Sequence, residues 1–147
     1  MKRIKILVLS VLMCGGFFAL AVPAQSQSDA GFNTDLKDSD LTLNEGEKWE
    51  IEAEMMGHIK EGEKRLRKYL NSAEDDYLKL AKSLSESNSN LIFSCSMTGP
   101  AHDMLHKWLH PHLRLVNELE KAESAEEAEK LVAALSQSYR ILGDYFQ

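Results

Sequence analysis

From Trp49 to Phe146 apolar residues recur at three- and four-residue steps, and only three short stretches interrupt the recurrence. A period near 3.6 buries one stripe of a helix, so a chain patterned this way is confined to packing helix on helix. The interruptions are Asn71-Ser72, Gly99-Pro100 and the run Ser124-Ala-Glu-Glu127. No strand-like alternation, internal repeat or phosphate-binding glycine loop competes with this pattern.

The spacing predicts a first helix over 45–70. Asn44-Glu-Gly-Glu47 opens it as a capping box, and Trp49, Ala53, Met56, Ile59, Leu66 and Tyr69/Leu70 form its buried stripe. A second helix is expected over 73–96, capped by Ser72 and Asp75. It carries Tyr77, Leu80, Ala81, Leu84, Leu91, Ile92 and Cys95, and it continues in phase through Ser85–Asn90 despite that run's poor propensity. Gly99-Pro100 then closes one helix and starts the next, about 100–120, on Leu105, Trp108/Leu109, His112, Val116 and Leu119. Pro111 lies inside this third helix and is expected to bend it. The fourth begins at the Ser124 capping box and runs to the C-terminus on Ala128, Leu131, Val132, Leu135, Tyr139, Leu142 and Tyr145/Phe146. Short turns between such helices imply an all-α, antiparallel up-down-up-down four-helix bundle over 44–147.

The N-terminus has a different character. Lys2, Arg3 and Lys5 precede an apolar run from Ile6 to Val22, and Val22-Pro-Ala24 supplies small residues for cleavage. That is the order of a secretory signal peptide over 1–24. Residues 25–43, rich in Ser, Asp, Asn and Gln, read as a flexible arm or linker. The mature chain is expected to be periplasmic or secreted, with no membrane insertion, and monomeric. The net charge of −6 becomes more negative once Lys2, Arg3 and Lys5 are removed, which argues against nucleic acid as a partner.

Chemistry concentrates in one stretch, Cys95 to His112. It holds four of the five histidines and, of the two cysteines, the one outside the signal segment. On a helix, His102, His106 and His110 follow at i, i+4 and i+8 and stack along one side. Cys95 and Met97 stand just before them in the turn. Thiolate, thioether and imidazole together suit a soft transition metal, copper above all, better than a hard cation. The candidate ligands are therefore Cys95, Met97, His102 and His106, with Met56, His58, His110 and His112 as possible additions. The alternatives are a hydrogen-bonded structural role for the histidines, strongest at His112, and core filling for the methionines. Non-covalent haem b, held by Met56 or Met97 and His102 or His106, is a further alternative. Covalent haem is not, because no Cys-x-x-Cys-His occurs.

The same stretch, Cys95-Ser-Met-Thr-Gly-Pro-Ala-His-Asp-Met-Leu-His-Lys-Trp-Leu109, resembles a group of small exported bacterial helical proteins. The resemblance extends over most of 43–147. It implies an all-helical domain and an exported location, and it carries no activity. No nucleophile set such as Ser-His-Asp or Cys-His stands out, so an enzyme is not expected. The sequence thus favours copper trafficking or buffering outside the cytoplasm, and the competing reading is an adaptor bundle whose function is contact with an exported protein.

Overall fold

The structure, a computed structural model, describes residues 40–72 and 75–147. The expected signal peptide, 1–24, and most of the expected arm, 25–39, lie outside the described residues. The described chain forms four helices: α1 (Ala53–Asn71), α2 (Tyr77–Phe93), α3 (Pro100–Lys121) and α4 (Ala125–Tyr145). Among the described residues there is no strand, only two isolated bridges, and no helix is long and apolar enough to cross a membrane.

The start of α1 departs from the sequence expectation. Asn44-Glu-Gly-Glu47 is a closed turn and caps no helix. Asn44 N–H donates to the Glu47 carbonyl at 2.8 Å and Glu47 N–H to the Asn44 carbonyl at 2.9 Å. Glu45 and Gly46 have φ of +53° and +96°, the succession of positive values that marks a tight reversal and favours glycine. The chain then runs extended beside its own C-terminus. Trp49 N–H bonds Tyr145 O, Gln147 N–H bonds Trp49 O, and Ile51 N–H bonds Gln147 O, each at 2.9 Å. Backbone groups expected to start a helix are satisfied by the tail instead, so α1 begins at Ala53. Its buried side then centres on Met55, Ile59, Gly62 and Leu66, with Met56 only half-buried and Leu70 exposed. The packed unit also reaches back into the expected arm. Leu41 is buried, Lys107 Nζ donates to the Asp40 carbonyl at 3.2 Å, and Trp49 Nε1 donates to the Thr42 carbonyl at 2.6 Å.

The remaining helices follow the sequence reading, except that α2 is shorter than the expected 73–96, with Cys95 in the turn beyond it and Ile92 exposed. Asp76, rather than Ser72 or Asp75, caps α2 by accepting from Lys79 N–H at 2.9 Å. The serine-rich middle of α2 stays helical, its hydroxyls turned back onto the helix: Ser83 Oγ donates to Leu80 O, Ser87 Oγ to Ser83 O and Ser89 Oγ to Ser85 O. Pro100 occupies the first turn of α3 behind Gly99, and Pro111 lies within α3 without ending it. Ser124 Oγ accepts from Glu127 N–H at 3.2 Å at the start of α4, while the Glu127 carboxylate reaches back to Glu123 N–H at 3.0 Å. The helices share one apolar core to which all four contribute, and Arg65 ties α1 to α2 through Ser83 O at 2.6 Å and Glu86 Oε2 at 2.8 Å.

Candidate functional site

The histidines of α3 divide into two groups because helical geometry sends them different ways. His102, His106 and His110 form a ladder on one side, as four-residue spacing requires. His102 Nε2 lies 2.9 Å from His106 Nε2, and His106 Nδ1 lies 3.0 Å from His110 Nε2. Successive rings meet edge to face. His102 and His106 are half-buried and His110 is exposed. Burial, and then the neighbouring rings of His102 and His110, push the His106 pKa below its ordinary value, against a smaller opposing pull from Asp103. The middle ring is therefore neutral at neutral pH and has one N–H. It donates along the ladder in one direction and accepts from the other.

One wall of this ladder is a pocket of about 260 Å³ between α1, α2 and α3. Its lining combines Cys95, His102, His106 and Met55 with Leu91, Ile92, Leu105 and Leu109. Cys95 is a free, half-buried thiol. Three of the four ligands expected from sequence, Cys95, His102 and His106, thus face one pocket. The fourth, Met97, is partly buried against the core and does not line it. Met55 takes that place. Met55 shares the inward side of α1 with Ile59, Gly62 and Leu66 and is nearly fully buried, whereas Met56 is half-buried. His58 and His110 are not part of the lining. As the side chains lie, no group of three or more His, Cys, Asp or Glu residues among the described residues is close enough to hold a metal ion.

His112 points the other way, into the core, and is fully buried. Its Nδ1 lies 2.9 Å from Ser138 Oγ, and its Nε2 has no hydrogen-bond partner. The ring stacks on Trp108 with centroids 4.7 Å apart and meets Tyr139 edge-on at 4.8 Å. Trp108 Nε1 donates to Ser138 O at 2.9 Å. Burial pushes the His112 pKa down to about 3 and raises that of Tyr139. The neutral tautomer with Nδ1–H donating to Ser138 leaves a bare lone pair at Nε2, which costs less than a stranded N–H. His112 is thus a structural histidine that knits α3 to α4. Its partner Ser138, like the buried Ser87 and Asn88, is not legible in the sequence, because small polar residues at core positions carry no signal in an apolar periodicity.

Comparison of the chain with protein-family models, with curated proteins and with solved structures finds no match.

Proposed function

We propose that this chain is an exported helical-bundle protein that binds one soft transition-metal ion, Cu(I) in the first place, in trafficking or buffering. The observation that carries the reading is the shared pocket: a thioether on α1, a thiol in the α2–α3 turn and two imidazoles on α3 around one small cavity. These donor types favour Cu(I) over harder ions. Binding requires His102 and His106 to exchange their mutual contact for the ion and Cys95 to lose its proton. Met97, two residues beyond the pocket-lining Cys95, is the second thioether within reach of a small rearrangement. Neither Met56 nor Met97 lines this pocket with His102 and His106, so haem on those axial pairs has no comparable support.

An antiparallel up-down-up-down course is the framework for this site. It is supported by pairings that run in opposite senses along neighbouring helices. Ser96 meets Glu52 and Ser83 meets Arg65, the Tyr77 hydroxyl donates to Ala122 O, and Trp108 donates to Ser138 O. In that course the α2–α3 turn, the first turns of α3 and the first turns of α1 share one end of the bundle.

The test is competition with a Cu(I)-specific chelator under reducing conditions. The wild type should withdraw one equivalent, and the double variant Cys95→Ser, His102→Ala should lose at least tenfold in affinity with unchanged helix content by circular dichroism. Unchanged affinity in the variant, or no Cu(I) withdrawn by the wild type, refutes the metal reading and leaves the adaptor bundle.

A further inference from the structure

We infer a second, solvent-facing metal half-site on α3, formed by His106 and His110, which a second copy of this chain completes. The inference rests on the reading that α3 imidazoles are metal donors, but it uses the other nitrogen of His106 and another ligand geometry. His106 Nδ1 and His110 Nε2 already lie 3.0 Å apart on the exposed side of the ladder. Two imidazole nitrogens bound about 2.0–2.1 Å from one tetrahedral ion stand about 3.3 Å apart. To chelate, the pair must widen by a few tenths of an ångström and both rings must turn so that each lone pair points at the ion; the shared proton moves to the other nitrogen of its own ring, so both imidazoles stay neutral. Two donors leave a tetrahedral ion two short. A two-fold axis through the ion supplies the same two residues again from the second copy, and such a contact closes on itself.

The surface beside the half-site suits that partner. Ile92 lines the same pocket as His106 and is about half exposed, and the adjoining Phe93 is 89% exposed, the most exposed of the large apolar side chains described. Ile92 also borders a largely polar groove between α2 and α3, lined by Leu113 and Val116 together with Ser85, Asn88, Ser89, Asn117 and, at its far end, Glu120, so the apolar patch itself is confined to Ile92 and Phe93. Charge points to the same face. The chain holds 23 acids, yet between Ser87 and Asn117 the sequence has one, Asp103, against the bases Lys107 and Arg114. Two acidic molecules repel least where this face meets its own copy. His106 has one lone pair when neutral, so pocket loading and bridging are alternatives at that residue.

Sedimentation velocity of the full chain with Zn²⁺ tests the inference, alongside the Cu(I) competition on the same preparation. The expected result is a metal-free monomer that becomes a dimer, saturating at one Zn²⁺ per two chains. His110→Ala should abolish the dimer. Phe93→Ser should weaken dimerisation by about 10- to 100-fold, the range set by burying one large apolar side chain. A wild type that stays monomeric at saturating Zn²⁺, or a His110→Ala chain that still dimerises, overturns the bridged half-site. If one equivalent of Cu(I) is still withdrawn in that case, the pocket reading stands alone; if neither metal binds, both fall.

Discussion

Acid should destabilise this protein chiefly through one core imidazole, at a pH above the range in which Glu61 and Glu126 titrate. An unfolded chain protonates His112 near the ordinary value of 6.5, whereas burial holds the folded-state value at about 3. Between these values the unfolded state binds more protons, so the stability tied to neutral His112 is complete above about pH 6.5 and falls as the pH drops towards 3. The slope approaches about 1.4 kcal/mol per pH unit, and the loss between pH 7 and pH 5 is about 2 kcal/mol. For a domain stabilised by about 5–15 kcal/mol that is a sizeable fraction. pH 5 is the useful point because the perturbed carboxyls titrate lower: Arg65 holds Glu61 below its ordinary 4.5, and Lys130 does the same for Glu126. Urea unfolding followed by circular dichroism should show the midpoint falling by about 1 M between pH 7 and pH 5. In His112→Phe, which keeps a ring against Trp108 and removes the titrating nitrogens, most of that fall should disappear; His112→Gln serves the same purpose if the phenylalanine does not fit. If wild type and variant lose equal stability over this interval, the assignment of the acid response to His112 is refuted.

Two further perturbations probe the packing that holds the site. A side chain at Gly62 would collide with the Tyr139 hydroxyl, and Tyr139 cannot swing away freely because its ring is buried against His112. Overpacking of about 1–3 kcal/mol, offset by about 1 kcal/mol of helix propensity, predicts that Gly62→Ala destabilises by up to about 2 kcal/mol in urea titration; adding Tyr139→Phe should recover part of the loss, and no recovery would place the strain elsewhere. Ser124→Ala removes the side-chain cap of α4 and should lower stability by about 1 kcal/mol, read as a drop in thermal midpoint without loss of helix content at low temperature.

How far the sequence could be read depended on whether a residue's environment was local. The Ser124 cap and the Gly99-Pro100 junction are decided by neighbours within a few positions, and both stand where the sequence places them. The Asn44–Glu47 run matches a capping box by residue type, yet the chain turns back on itself there because the C-terminal residues 145–147 offer backbone partners to Trp49 and Ile51. A partner about a hundred positions away leaves no mark in a local pattern. The exchange of Met56 for Met55 has another origin, since Met55, Ile59, Gly62 and Leu66 share one side of α1 at steps of three and four while Met56 stands about 100° round from Met55, wherever the helix begins. It changes the thioether in the candidate site without touching Cys95, His102 or His106. Ser138 was invisible for a related reason: a serine among apolar residues reads as a gap in the stripe until its histidine partner is in place.

The division of labour on α3 follows from angle alone. His110 and His112 are two residues apart, about 200° around a helix, which sends one ring to solvent and the other to the core. The buried ring has a hydroxyl partner, an aromatic stack and a suppressed pKa, so any substitution there is read first as stability. The ladder rings are half-buried or exposed, and their ring nitrogens bond mainly to one another. Removing one of them deletes a contact between two adjustable side chains and opens no cavity in the core. Fold and ligand chemistry are therefore separable on a single helix. On the proposed metal reading, a His102 or His110 variant should lose metal with its unfolding midpoint unchanged, beside a His112 variant that changes the midpoint and keeps the metal.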